Sequence, residues 1–212
     1  MPDERYQEKL VFLPGAGGDI RLWEPVAQGL AHRGKRHFMG WPGFGGAPPD
    51  PAVRGLEDLV QSVIAEMSEP VVLFAQSMGG LIALRAALSF PERVRGLVLS
   101  VTSGGIDVAA LGAFDWRRQF AEENPATPRW FLDARDDLSV ELRRLEVPTL
   151  LLWGDADSLS PVAVGQRLAE ILPNSELVVI PGGNHDLVSE RANDVLPHVD
   201  SFLQRVLHAD AT

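Results

Sequence analysis

The sequence contains no cysteine. That excludes disulfides, a thiol nucleophile and any cysteine-ligated metal or iron–sulfur cluster, and it leaves hydroxyl, carboxylate and imidazole chemistry. Positive charge is scarce as well. Lys and Arg number 19 against 29 Asp and Glu, for a formal net charge of -10, and Lys9 and Lys35 are the only lysines. A surface of that sign repels phosphate backbones and anionic lipid unless a basic patch intervenes. The arginines are spread along the chain, so neither nucleic acid nor a membrane is an expected partner. Long apolar runs are missing too: none approaches the ~18 residues needed to cross a bilayer. The stretch Met1 to Lys9 is polar, carries both signs of charge, and lacks the apolar centre of a signal peptide. A soluble cytoplasmic protein is the expectation. No internal repeat, low-complexity tract or linker is visible.

What is present is the composition of a globular chain: 212 residues, 45% hydrophobic and 23% charged. This length fits one domain, and area scaling lets it bury about 70% of its unfolded surface. Six short apolar runs stand out: Leu10 to Leu13, His37 to Trp41, Val71 to Ala75, Leu97 to Val101, Thr149 to Trp153, and Leu177 to Ile180. They do not alternate with polar residues, which predicts strands covered on both faces by helices, as in a parallel sheet. Between them lie helical spacings: Leu22, Val26, Leu30; Leu56, Leu59, Val60, Val63, Met67; Leu81, Leu84, Leu88; Val164, Leu168, Leu172; and Val188 to Leu207, interrupted near Pro197. Strand alternating with helix is the α/β pattern. Run starts are spaced about 27, 34, 26, 52 and 28 residues, and a strand–helix–strand unit takes roughly 30. The fourth gap therefore holds an insertion. We expect a single domain made of core residues 1–105 and 147–212, with 106–146 forming a small helical cap whose rings, Trp116, Phe120 and Trp130 among them, either line a substrate cavity or pack on the sheet.

Several motifs fail on inspection. Gly15-Ala16-Gly17-Gly18 follows the first run, but the third Gly of a dinucleotide fingerprint would fall at Ile20, and no acidic residue ends the second run. Gly34-Lys35 is followed by Arg36, which rules out a phosphate-binding P-loop. The five histidines lack metal spacing, and Asp155 with Asp157 supply too few ligands. Neither a cofactor nor a metal is expected.

One motif survives. The third run ends Ala75-Gln76-Ser77-Met78-Gly79 and passes straight into a helical pattern, the strand–turn–helix setting that thrusts a serine out at the carboxyl edge of a sheet. Ala75 and Gly79 are small, as so tight a turn demands. A serine hydroxyl needs a histidine base, and that base needs an acid to fix its tautomer. The fifth run leads into Gly154-Asp155-Ala156-Asp157 and the sixth into Gly182-Gly183-Asn184-His185. Each polar residue falls in the loop just past its strand, where open α/β sheets gather their ligands.

With these motifs the chain resembles the α/β-hydrolase superfamily over nearly its whole length. The resemblance implies Ser77 as nucleophile, Asp157 rather than Asp155 as acid, and His185 as base. It also implies an oxyanion hole built from the backbone amides of Ala16 and Met78. Many relatives have His-Gly where this chain has Pro14-Gly15. Trp41 and Phe44 stand in what looks like the family's loop after the second strand, where rings can touch substrate. The implied fold is a reduced, mostly parallel sheet of about six strands with helices on both faces. The implied activity is cofactor-independent hydrolysis of a small-molecule carboxylic ester through a Ser-His-Asp triad and an acyl-enzyme. Alternatives on the same fold are a thioesterase, a carbon–carbon bond hydrolase or lyase, and a non-catalytic ligand-binding homologue. The sequence does not fix the oligomeric state.

Overall fold

The computed structural model describes residues 8–208, so nearly all of the polar stretch from Met1 to Lys9 lies outside the described residues. Six strands, β1 (Lys9–Leu13), β2 (Arg36–Phe38), β3 (Val71–Gln76), β4 (Val94–Ser100), β5 (Thr149–Gly154) and β6 (Ser175–Ile180), form one sheet in the order β2-β1-β3-β4-β5-β6. Every pairing is parallel. The helices are α1 (Glu24–Gly29), α2 (Leu56–Glu66), α3 (Met78–Ser89), α4 (Arg117–Glu123), α5 (Arg129–Asp133), α6 (Val162–Ile171), α7 (Leu187–Glu190) and α8 (Ala192–His208). This is the doubly covered parallel sheet that the apolar runs predict.

Burial follows position in the sheet. β3 and β5 are buried at every residue, whereas the edge strands β2 and β6 are covered only in part. The continuous apolar pattern thus overstates the burial of the second and sixth runs, because an edge strand has a neighbour on one side only. The second run also leaves the sheet at Phe38, short of Trp41. The last helical stretch breaks at Arg191, between α7 and α8, while Pro197 is carried inside α8. Arg191 folds back there to donate from Nε to Asp194 at 2.7 Å.

α2 shows how local chemistry sets an element. Asp58 reaches back to accept the N–H groups of Arg54 and Gly55 at 2.7 and 3.1 Å, satisfying donors that a helix start leaves open. Leu56, Leu59, Val60 and Val63 then fall on one buried face. In α3 both flanks are buried, with Ile82, Ala83, Leu84, Ala86 and Ala87 fully covered.

At the amino end of the sheet, Lys9 donates to Glu66 at 2.5 Å and His37 lies 3.5 Å from the same carboxylate. The Lys9 hydrogen bond, aided by His37, holds the Glu66 carboxyl below its ordinary range. A depressed carboxyl pKa stabilises the fold above its unfolded value, and that contribution disappears as pH falls through the folded value. Because the pair is about a third exposed, solvent screening limits it to below about 1 kcal/mol. Glu66→Gln should therefore lower unfolding stability slightly at neutral pH and not at all in acid, as read by urea denaturation at both.

The chain between β4 and β5 contributes no strand and carries α4 and α5. Within it Leu138 N–H donates to Gly105 O at 2.7 Å, and its outer part is tied to the core by Phe114 N–H on Ser158 O at 3.1 Å and by the pairing of Arg85 of α3 with Asp136. Among the described residues no helix is long and apolar enough to cross a membrane.

Candidate active site

β3 ends at Gln76 and α3 begins at Met78, so Ser77 alone makes the turn. Its φ of 52° and ψ of -118° fall where side-chain-bearing residues are rarely found, and such backbone costs about 1–3 kcal/mol unless its surroundings hold it. They do. Ser77 N–H donates to Ser100 O at 3.0 Å, while Ser77 O accepts from Gly80 N–H at 3.0 Å and from the Thr102 hydroxyl at 2.6 Å. A Cβ on Gly79 would stand 2.6 Å from Pro14 O and 2.9 Å from Leu13 O. The residue two past the serine must be small because the end of β1 runs beside it, a cause the local motif does not reveal.

Past β5, Asp157 is buried with its Oδ1 accepting the N–H groups of Leu159 at 2.8 Å and Ser160 at 3.2 Å. Its Oδ2 lies 2.7 Å from His185 Nδ1. These donors offset the cost of burying a carboxylate. Opposite an ionised carboxylate, which only accepts, a neutral imidazole holds its proton on Nδ1 and keeps its lone pair on Nε2. The Asp157 side chain is 1% exposed and the imidazole 25%, so the carboxylate is sealed behind the ring. Asp155 plays a different part: its Oδ1 accepts Gly182 N–H at 2.6 Å and braces the loop that carries His185.

Among the described residues the imidazole's hydrogen bond is to Asp157 alone. Ser77 and His185 share the wall of one cavity of about 590 Å³. The same cavity is walled by the loop Pro14 to Gly18 and by Met78. Met78 opens α3, where a helix leaves its first N–H groups without internal partners and presents its positive dipole end. Among the described residues neither Ala16 N–H nor Met78 N–H enters a turn or loop hydrogen bond. The Gly-rich loop is held from below by two buried indoles, Trp23 donating to Leu13 O at 3.2 Å and Trp41 to Pro14 O at 2.9 Å.

The rings expected to touch substrate divide into two sets. Trp116 and Phe120, joined by Phe131, line the cavity. Trp41, Phe44 and Trp130 do not: Trp41 is spent on the Pro14 carbonyl, and Phe44 packs edge-on against Trp130 and Phe131 at centroid distances of 5.9 and 5.4 Å. Sequence reasoning did not single out Gln76 or Thr102. Gln76 is a buried polar residue closing an apolar run, which was a usable signal, and it donates from Nε2 to His185 O at 3.0 Å. Thr102 had only its place past the fourth run.

A family model described as "Alpha/beta hydrolase family" matches residues 10–140, more than half of the chain, and one described as "Serine aminopeptidase, S33" matches residues 123–192. The chain is 30% identical to a pimeloyl-[acyl-carrier protein] methyl ester esterase of Aeromonas hydrophila, with 94% of each covered. It is 29% identical to the protein of the same name from Pectobacterium atrosepticum, covering 93% of this chain and 92% of that one. Among solved structures, a thermophilic esterase from Thermogutta terrifontis superposes with a TM-score of 0.77 at 22% identity, over 94% of this chain and 90% of the other, a likeness of fold. With a serine turn, an acid and a histidine at the carboxyl edge of a parallel sheet, and a family model spanning most of that sheet, the chain belongs to the alpha/beta hydrolase family.

Proposed function

We propose that the enzyme, a serine hydrolase acting on carboxylic esters, uses Ser77 as nucleophile, His185 as base, Asp157 as acid and the amides of Ala16 and Met78 as oxyanion donors. The observation that carries this reading is the 2.7 Å contact between buried Asp157 and His185 Nδ1, in a cavity shared with Ser77. His185 Nε2 takes the Ser77 proton as Oγ attacks the acyl carbon, and the carbonyl oxygen becomes an alkoxide held by the two amides. As the alkoxide collapses, the ester C–O bond breaks and His185 returns the proton to the departing alcohol. Water then repeats the sequence on the acyl-enzyme, releasing the acid and restoring the Ser77 hydroxyl.

The walls support an apolar acyl group. Leu22, Leu81, Val101, Ile106, Trp116 and Phe120 surround the volume above the serine turn. The segment 106–146 supplies several of these residues, and we read it as a cap that closes the acyl site against water. The relatives named as methyl ester esterases support a small alcohol. A panel of methyl esters, matched acyl-thioesters and a vinylogous diketone tests this reading. The methyl ester of a medium-chain acid should show the highest kcat/KM, by about tenfold or more, the discrimination that a few pocket contacts provide. Preference for the thioester or the diketone would contradict the ester assignment, and binding without turnover would contradict catalysis.

A further inference from the structure

We infer that Gln76 is a positioning residue that sets the distance between nucleophile and base. The inference rests on the triad reading above and deepens it. Gln76 precedes Ser77 directly and is only 4% exposed, at the end of a strand otherwise wholly apolar. A buried amide must be hydrogen-bonded to offset its desolvation, and this one donates from Nε2 to the main-chain carbonyl of His185 at 3.0 Å. That contact crosses from β3 to the loop past β6, three places away in the sheet.

The His185 loop is otherwise held from the β5 side. Asp157 takes the ring at Nδ1, Asp155 takes Gly182 N–H, and Gly183 O accepts Ala156 N–H at 2.9 Å. Those bonds fix the loop relative to Asp157; from there the serine turn is reached only indirectly, through Ser160 Oγ on Thr102 O at 3.4 Å and the Thr102 hydroxyl on Ser77 O at 2.6 Å, with no direct bond among the described residues. Gln76 closes that gap, because its backbone is covalently joined to Ser77 and its side chain grips the base's own residue. The other end of the amide is constrained as well: a Cβ on Gly15 would stand 2.2 Å from Gln76 Oε1 and 3.0 Å from Ser77 Cβ. The Gln76 amide therefore sits between the loop of the base and the loop of the oxyanion donor. A side chain at position 15 would displace that amide from its place. The nucleophile turn, the His185 loop and the Ala16 loop are gauged against one side chain.

Gln76→Met keeps length and apolar stem but removes the donor, and Gln76→Glu presents an acceptor to the His185 carbonyl. Each is assayed with a methyl ester, with active sites counted by a fluorophosphonate so that kcat is expressed per competent serine. Displacement of a catalytic group by about 1 Å costs up to about 10²-fold, so kcat per site should fall about 10–100-fold with KM within about twofold. In a His185→Ala background Gln76→Met should change the residual rate by less than about twofold, because a residue acting through His185 has nothing left to position. Unchanged kcat per site in either folded variant overturns the inference. A raised KM with unchanged kcat, or the same loss in the His185→Ala background, overturns it too. Loss of cooperative unfolding in both variants also overturns it, since Gln76 would then be a structural residue. Wild-type protein that is never labelled at Ser77 would instead defeat the triad reading itself.

Discussion

Asp157→Asn should lower kcat by about 10⁴-fold while leaving the fold and KM nearly unchanged, since an acid that fixes the tautomer of its histidine contributes on that scale. Asn keeps the shape of Asp, and its carbonyl can still accept the Leu159 and Ser160 N–H groups that now bond Oδ1. The group facing His185 Nδ1 then becomes an amide N–H, a donor. The imidazole must turn its lone pair toward it and carry its proton on Nε2, the nitrogen required to accept from Ser77. The base is present and in place but in the wrong tautomer. Steady-state kinetics beside urea denaturation separates this from unfolding. A loss smaller than about tenfold would mean that Asp157 is a structural carboxylate.

Ser77→Ala should be more severe, with a loss of about 10⁶-fold in kcat and a residual rate supplied by binding and oxyanion contacts alone. The turn should survive the change, because the bonds that hold it engage the backbone: Ser100 O takes the Ser77 N–H, and Gly80 and Thr102 take the Ser77 carbonyl. Alanine bears the same backbone strain as serine, so stability should shift by less than about 1 kcal/mol. Preserved unfolding with activity removed is the expected pair of results. Activity within tenfold of wild type would exclude Ser77 as the nucleophile.

The sheet was legible because its signal is dense. Central strands such as β3 and β5 are buried at every position, and burial on both faces writes itself into an unbroken apolar run. The edges were less legible, since β2 pairs on one side only and its apolar residues continue past the strand into a loop. The order serine, acid, histidine was readable because each follows a strand, and strand ends share one rim in a parallel sheet. The choice between Asp155 and Asp157 was not contained in spacing alone. It rested on family likeness, and the geometry separates the two by the partners each carboxylate holds, Gly182 N–H for one and His185 Nδ1 for the other. The rings were hardest. Trp41, Trp116 and Trp130 are alike in a sequence, and only three-dimensional packing decides that Trp116 reaches the cavity while Trp41 bonds a carbonyl beneath it. Gln76 escaped notice for a related reason: its partner is 109 residues away along the chain.

A proton relay through Ser77, His185 and Asp157 should show itself most plainly in covalent labelling. Wild-type protein treated with a fluorophosphonate should gain a single adduct, located by peptide mass spectrometry at Ser77, and His185→Ala and Asp157→Asn should each label far more slowly. An adduct on any other residue, or labelling of Ser77 at the same rate in all three proteins, would rule out the relay.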